Sequence, residues 1–321
     1  MEETPKFSQE WVNYFIPSTV RWDHTGFPDV TDAVMKNRLN LSPEQPFGIT
    51  DAGTLDDVEG WVTYKNFSEI MANPVPGNYD LPHLQKIHHL LFRQIYPWAG
   101  KLRNAPRDWP MGKMGPDIRA YHRGNPNPPE IQHRYLPANE IAHYGKVVLD
   151  RLAAKNFLRG LGRDTFVDEL TTCWARTNMV HVFREGNTRA QTAFFRQLSA
   201  DAGYTLDTER FRPVETEVTR ENPGIGDLRD KFVWGRFEYM QTGELTLLRE
   251  ALDAAVVATP TTDPTPVGMD HAYDLSALRA VSSGHPRSVG RLLTGESESD
   301  NAASLPTQPE NSRSLDSGYE R

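Results

Sequence analysis

The sequence is poor in three features that each mark a class of protein. It has a single cysteine, Cys173, so no disulfide can form within the chain and nothing indicates an oxidising compartment. No apolar run approaches the roughly 20 residues that a membrane-spanning helix needs. The net charge of −8 argues against a general nucleic-acid binder, whose surface is normally basic. Since the polar N-terminus does not read as a secretory signal, we expect a cytoplasmic protein without nucleic-acid or membrane partners.

Apolar and aromatic residues are frequent enough to form a sizeable core. The hydrophobic fraction is 38% and the aromatic fraction is 10%, more than a disordered chain contains. After about Thr259 the composition shifts to Pro, Thr, Ser, Gly and Asp, and the apolar period ends. The sequence therefore predicts an N-terminal extension over residues 1–59 that packs on the core, a domain over 60–258 and a disordered tail over 259–321.

Helical periodicity dominates the middle of the chain. Leu84, Ile87, Leu91 and Ile95 recur at spacings of three and four, which places them on one helix face. Similar patterns predict helices over residues 60–71, 139–158, 164–179, 188–202, 207–220, 226–241 and 243–257. Residues 103–137 are rich in proline, and we expect a long functional loop there with room for one β-hairpin. The fold class that these patterns indicate is all-α.

A short polar turn over residues 181–187 separates two of the predicted helices. Gly186 and Asn187 suit a tight turn, and Asn187 or Thr188 can cap the helix that follows. The free N–H groups at the start of that helix form an anion site, which the helix dipole strengthens. Arg189 puts a positive charge in the first turn, which is unfavourable for the dipole unless an anion lies nearby. The turn therefore indicates binding of a phosphate or a similar anion.

Two more side chains of this turn suit phosphate chemistry. Glu185 is next to the anion site, and a carboxylate is tolerated near phosphates when Mg²⁺ bridges them. His181 can take up a proton near neutral pH. From the residues alone, simpler interpretations stay open: His181 as a helix-end cap, Glu185 as part of a surface turn and Phe183 as a core side chain.

Two separated motifs resemble the Fic family. Residues 181–189, HVFREGNTR, are similar to the Fic signature His-x-Phe-x-(Asp/Glu)-Gly-Asn-Gly-Arg-x-x-Arg. Residues 96–103, YPWAGKLR, look like the Tyr-x-Trp-Ala-Gly-x-x-Arg stretch that precedes the Fic flap. Because both motifs occur in the right order, the resemblance is specific, and it covers roughly residues 60–252.

The resemblance implies an all-α, Fic-type helical bundle with a small β-hairpin flap. It also implies transfer of AMP from ATP to a Tyr, Ser or Thr hydroxyl of a target protein. His181 would be the catalytic base and Glu185 would hold Mg²⁺. The family pattern assigns phosphate binding to Gly186, Asn187, Thr188 and Arg189, and anchoring of the turn to Phe183. The flap would lie between Arg103 and Pro137, where Tyr135 is a candidate flap aromatic that no motif fixes.

Two positions depart from the family signature. Thr188 replaces its second glycine, and Thr192 replaces its final arginine. In the family that arginine contacts the outermost phosphate of the donor, so its loss removes one charge-assisted pair, about 1.5–3 kcal/mol. The alternatives are therefore a Fic variant that uses another phosphate donor and a catalytically silent Fic scaffold.

The sequence also bears on how the protein would be regulated and on one competing enzyme class. No segment convincingly matches (Ser/Thr)-x-x-x-Glu-(Gly/Asn), the inhibitory pattern of regulated Fic proteins, so we expect that this brake is not used. A separate antitoxin chain stays open as a partner. A metal hydrolase built on His88, His89, His122, His133 and His143 is the weakest alternative, since adjacent histidines cannot share a helix face and no HExxH spacing occurs.

Overall fold

The computed structural model describes residues 9–104, 111–211, 225 and 227–259. Its helices are α1 Gln9–Val12, α2 Ala52–Ala72, α3 Leu81–Phe92, α4 Ile118–His122, α5 Ala138–Ala154, α6 Arg163–Val180, α7 Asn187–Asp201, α8 Leu228–Thr242 and α9 Thr246–Ala255. Helices dominate these residues, so the predicted all-α class is confirmed. None of them is long and apolar enough to cross a bilayer. The predicted tail beyond Thr259 and most of the helix predicted over 207–220 lie outside the described residues.

Short antiparallel strand pairs accompany the helices. They are β1 Arg21–Trp22 with β2 Pro28–Asp29, β3 Gly112–Pro116 with β4 Glu130–Arg134, and β5 Tyr204–Leu206 with β6 Val256–Ala258. The pair β3–β4 is the hairpin that was predicted within residues 103–137, and α4 lies in its connection. Gly112 pairs with Arg134 at the base of this hairpin and Pro116 pairs with Glu130 farther out. The expected small β-hairpin is therefore confirmed.

Helix α2 begins earlier than the sequence pattern indicated. The carboxylate of Asp51 accepts a hydrogen bond from the amide of Thr54 at 2.8 Å and caps the helix at its start. Leu55 is the one buried residue of the first turns, so the apolar stripe is weak there and the predicted start fell at residue 60. The predicted boundary between residues 59 and 60 lies inside α2, and Glu59 is part of its buried face.

The core fixes the ends of α6 and α7. Trp174 of α6 stacks on Phe195 of α7 with ring centroids 4.6 Å apart, and Phe232 of α8 meets Trp174 edge-on at 5.1 Å. All three side chains are fully buried, and each contributes on the order of 1.5–3 kcal/mol through the hydrophobic effect. Because α6 and α7 are anchored in this way, the turn between them has a defined position.

The N-terminal segment packs directly on both sequence motifs. The guanidinium of Arg184, within the turn, lies over the rings of Trp11 and Phe15 at 4.6 and 5.1 Å from their centroids. Tyr14 meets Trp98 of the second motif edge to face, with centroids 5.6 Å apart. These four aromatic residues are buried. The segment therefore supports the region of the turn from outside the helical core.

Helices α8 and α9 approach each other closely at one glycine. A Cβ at Gly235 would lie 2.3 Å from the backbone nitrogen of Leu248, so a larger residue would force the two helices apart. Arg236 is the next residue of α8, and its guanidinium reaches the start of α7. The close contact therefore helps to set the position of this cation.

Candidate functional site

The turn between α6 and α7 is closed by its own side chains. The Oδ1 atom of Asn187 accepts a hydrogen bond from the amide of Phe183 at 2.9 Å, and Nδ2 donates to the Phe183 carbonyl at 2.7 Å. Gly186 has a φ of +78°, and a Cβ there would lie 2.3 Å from the Phe92 ring. No side chain caps α7, so neither Asn187 nor Thr188 has the capping role that the sequence allowed.

His88 joins the two motifs that are far apart in the sequence. Its Nδ1 accepts from the amide of Gly100 at 2.8 Å, and its Nε2 lies 2.9 Å from the carbonyl oxygen of Glu185, to which it donates. Its ring stacks on Phe183 with centroids 3.8 Å apart. Burial lowers the pKa of His88 to about 3, so the neutral tautomer that serves both contacts persists at neutral pH. Phe183 is fully buried beneath the turn, where the sequence predicted an anchor.

His181 lies at the end of α6 in a left-handed conformation with a φ of +49°. Arg103 of the second motif donates from Nε to the His181 carbonyl at 2.6 Å and from Nη2 to the Leu136 carbonyl at 2.6 Å. The imidazole stacks on the Tyr135 ring with centroids 3.6 Å apart and planes 9° apart. Burial, and then the charge of Arg103, hold the pKa of His181 well below its usual value. The imidazole is therefore neutral and able to accept a proton at neutral pH.

Tyr135 follows β4 directly and occupies the base of the hairpin. Its amide donates to the Met111 carbonyl at 2.9 Å, which extends the pairing by one step. The side chain is buried against His181, and burial raises its pKa to about 12. The ring of Tyr135 therefore orients the imidazole, whereas Met114 is a large hydrophobic side chain of the hairpin that is exposed.

The turn, the start of α7 and the base of the hairpin border a common pocket. Its lining consists of Met111, Gly112, Lys113, Tyr135, His181, Glu185, Gly186, Asn187, Thr188 and Arg189. The structure thus brings together every predicted site residue except Phe183. Since the first N–H groups of α7 lack a side-chain cap, the pocket has the backbone donors of an anion site.

Glu185 is the predicted metal ligand and borders this pocket. Its Oε1 accepts from the amide of Gly186 at 2.9 Å and lies 3.8 Å from Nη2 of Arg189. Mg²⁺ is commonly held by one or two carboxylates together with phosphate oxygens and water. A single carboxylate beside an anion site fits that set of donors, so the residues present are compatible with Mg²⁺.

Arg189 is held on the α2 side of the pocket by partners that the sequence analysis missed. Its Nη1 donates to the Thr63 hydroxyl at 3.1 Å, and its Nη2 pairs with Glu59, which also accepts from the Tyr96 hydroxyl. Glu59 does not complete the inhibitory pattern (Ser/Thr)-x-x-x-Glu-(Gly/Asn), because Leu55 lies four residues before it in place of Ser or Thr. Polar residues at a spacing of four on the buried face of α2 were the available signal. A carboxylate of the chain itself therefore compensates the charge of Arg189.

Two further cations on the opposite side were also missed. Arg236 of α8 donates from Nη1 to the Thr188 hydroxyl at 2.9 Å, and its guanidinium lies 4.8 Å from the Phe232 ring centroid. Lys113 of β3 lines the pocket. Burial, and then the charge of Arg236, lower the pKa of Lys113 to about 7, while burial lowers that of Arg236 to about 10. A cation four residues after Phe232, on the apolar face of α8, was the signal for Arg236.

The histidines of the metal-hydrolase alternative do not converge. His88 is in the core, and His133 Nε2 lies 3.2 Å from the Pro116 carbonyl in the hairpin. Within the described ranges, the one His/Cys/Asp/Glu group able to hold a metal is His122 with Glu238 and Glu244, and it contains one of these histidines. His122 Nε2 lies 3.1 Å from Glu238 there, outside the pocket lining.

Comparison with known proteins places the pocket within a recognised family region. The model of the Fic/DOC family matches residues 78–199. Protein adenylyltransferase VbhT of Bartonella schoenbuchensis is 31% identical over 194 residues, which are 60% of this chain and 34% of VbhT. The chain therefore spans about a third of that relative. The Escherichia coli protein named "Probable protein adenylyltransferase Fic" is 27% identical over 195 residues, 61% of this chain and 82% of its own length.

Solved structures agree on the fold. BepC of Bartonella tribocorum, solved with bound AMPPNP, has a TM-score of 0.56 and 22% identity, covering 78% of this chain and 100% of BepC. The Fic domain of a VirB-translocated Bep effector of Bartonella quintana, solved with bound ADP, has a TM-score of 0.55 and 21% identity, covering 78% of this chain and 97% of that domain. These likenesses confirm the predicted Fic-type helical bundle.

Proposed function

Residues 78–199 belong to the Fic/DOC family, and from that premise we propose that the protein transfers AMP from ATP to a Tyr, Ser or Thr hydroxyl of a target protein. The observation that carries the proposal is the shared pocket of a neutral imidazole, a carboxylate and an uncapped helix start: His181, Glu185 and α7. The relatives named as adenylyltransferases support the same chemistry.

In the proposed reaction His181 is the general base. The imidazole accepts the proton of the target hydroxyl, whose oxygen forms a bond to the α-phosphorus of ATP. The bond from that phosphorus to the bridging oxygen breaks, pyrophosphate leaves, and His181 passes its proton to solvent. A base must be unprotonated at the start, which the low pKa of His181 provides. Arg103 and Tyr135 position the imidazole through its backbone and its ring face.

The phosphates of the donor would lie at the start of α7. The backbone amides from Asn187 to Arg189 would donate to phosphate oxygens. The Gly186 amide already donates to the Glu185 carboxylate. Glu185 would hold Mg²⁺ there, and the ion would neutralise part of the phosphate charge. In this arrangement Glu185 and the start of α7 would bind the donor, and His181 would act on the hydroxyl of the acceptor.

The hairpin β3–β4 is the surface that we assign to the target. It borders the pocket through Met111, Gly112 and Lys113, and an extended segment can add to such a strand pair by backbone hydrogen bonding.

We place the end of the N-terminal extension before Asp51, because α2 runs through the predicted boundary. A cytoplasmic location and a separate antitoxin chain stay predictions.

The test uses purified full-length protein with Mg²⁺, a host lysate and ATP labelled at either the α- or the γ-phosphate. We expect label from the α-position on protein, with His181→Ala lowering the rate by a factor of about 10²–10⁴ because the base is lost. Label from the γ-position alone would contradict AMP transfer and indicate phosphorylation. No transfer from either position would contradict ATP as the donor.

A further inference from the structure

Two cations lie beside the pocket: Glu185 and Glu130 act on the charge of Lys113, whereas no described carboxylate acts on that of Arg236. Arg236 is 6% exposed, and its Nε atom is buried without a hydrogen-bond partner. Lys113 lines the pocket near Arg236. In the parts of the chain that the structure describes, neither side chain forms an ion pair with a carboxylate. By contrast, Arg189 has Glu59 within the same pocket region.

An unpaired buried guanidinium is costly to retain. A charge loses its hydration on burial, and that loss is normally repaid by an opposite charge or a full set of hydrogen bonds. The lowered pKa of Arg236, about 10, reflects this cost. Packing on Phe232 does not explain it, since an apolar side chain would pack there without desolvating a charge. Perturbed buried charges next to a cleft are typical of functional sites.

The Thr188 hydroxyl fixes where the guanidinium lies. Thr188 belongs to the first turn of α7 and lines the pocket, so the Nη1 hydrogen bond of 2.9 Å places Arg236 beside the free N–H groups of that turn. A glycine at position 188 would offer no such acceptor. Thr192 does not share this role, because no described side chain forms a hydrogen bond to its hydroxyl.

We propose that Arg236 binds a phosphate oxygen of the nucleotide donor, is held in position by Thr188 and is assisted by Lys113. The inference rests on the proposed function and names a donor-binding residue outside the 181–189 motif. The buried guanidinium gains its missing anionic partner on binding, and the start of α7 donates to the same phosphate group. Arg189 contributes less to this attraction, because Glu59 already compensates its charge.

Binding can be measured without turnover in the full-length protein that carries His181→Ala. Isothermal titration calorimetry with Mg²⁺-ATP, and with inorganic tripolyphosphate as a base-free probe, compares this parent with its Arg236→Gln variant. We expect Arg236→Gln to lower the affinity for both probes by about ten- to a hundredfold, the range of a lost charge-assisted pair. Arg249→Gln is the matched control, since it removes the same charge from α9, where Arg249 pairs with Asp168 at 2.6 Å. The control should leave both affinities unchanged.

Several outcomes would overturn the inference. Arg236→Gln could keep its thermal midpoint and bind Mg²⁺-ATP within twofold of the parent, or Arg249→Gln could weaken binding equally, which would indicate a general charge effect. If Arg236→Gln does not fold, Arg236→Lys decides: it keeps the charge, loses the planar fork, and should weaken binding by a smaller factor. An affinity of Arg236→Lys equal to the parent's would contradict the inference.

The readout also separates this inference from the proposed function. Failure of the proposed function is the absence of labelled AMP on protein in the wild-type reaction. Arg236-dependent binding of ATP or tripolyphosphate would support the inference even then. A parent protein that binds neither probe would contradict the inference directly.

Discussion

The two sides of the pocket use the same residue type in opposite ways. On the α2 side, Arg189 is enclosed with Glu59 in a preformed ion pair. On the α8 side, Arg236 is similarly buried but has a hydroxyl, Thr188, and no described carboxylate. A buried cation with its own acid is mainly a structural element, whereas one without an acid is available to an anion from outside. We therefore expect the α8 side of the pocket to attract phosphate.

The two arginines should differ most in their contribution to the free energy of unfolding. Arg189→Gln leaves Glu59 buried without its cation and should lower the free energy of unfolding by about 3–5 kcal/mol. Arg236→Gln removes a charge that has no acid, so it should change that free energy by less than about 1 kcal/mol or raise it. Urea unfolding of the two variants measures both values. Equal destabilisation would show that the two arginines have the same structural role.

A second prediction concerns how the affinity on the α8 side of the pocket depends on pH. Lys113 has a pKa lowered to about 7, mainly by burial, so its charge is lost as the pH rises through neutrality. We expect the affinity for Mg²⁺-ATP in the His181→Ala background to fall roughly tenfold between pH 6 and pH 8.5, about the value of one charge-assisted contact. Lys113→Met should remove this step. A step of the same size in Lys113→Met would assign it to another group.

The same group has a calculable effect on folding. Because the folded pKa of Lys113 lies below its unfolded value of about 10.4, the unfolded chain binds more protons between these two values. The contribution of Lys113 to the free energy of unfolding therefore increases as the pH rises from about 7 towards 10. Denaturant unfolding of wild type and Lys113→Met across that range measures the slope, which should be more positive in the wild type.

The smallest expected effect concerns the hydroxyl that orients Arg236. Thr188→Val keeps the volume and removes the acceptor of the 2.9 Å hydrogen bond, so Mg²⁺-ATP should bind about two- to tenfold more weakly, the range of one hydrogen bond. Thr192→Val is the control, since the Thr192 hydroxyl is buried without a hydrogen-bond partner among the described residues, and Thr192 does not line the pocket. A larger loss in Thr192→Val than in Thr188→Val would contradict the assigned positions.

Local sequence was informative about the turn and weak elsewhere. The helix–turn–helix spacing predicted the anion site at the start of α7, and seven of the eight predicted site residues line the pocket. Asn187 was assigned to capping or phosphate, yet its side chain closes the turn on Phe183. A backbone partner four residues away competes with capping, and the sequence does not show which contact forms.

The partners of the turn come from distant parts of the chain. Glu59 reaches Arg189 across 130 positions and Arg236 reaches Thr188 across 48, so no local spacing could relate them. Glu59 and Arg236 are charged residues on the buried face of a helix. Such a position indicates a special environment for the charge, but it does not identify the partner. The weak apolar period at the start of α2 also hid the turn of helix before Glu59.

Local sequence was enough to predict the all-α class and an anion site at the start of α7, because helix periods, turn residues and helix starts act over a few positions. The hairpin in the proline-rich stretch was only possible from the residues, and the resemblance to the Fic family implied it. Only the assembled fold shows that Arg189 pairs with Glu59, while Arg236 has no carboxylate partner among the described residues. That distinction depends on which side chains packing brings within a few ångströms and removes from water, and desolvation is a property of the assembled fold.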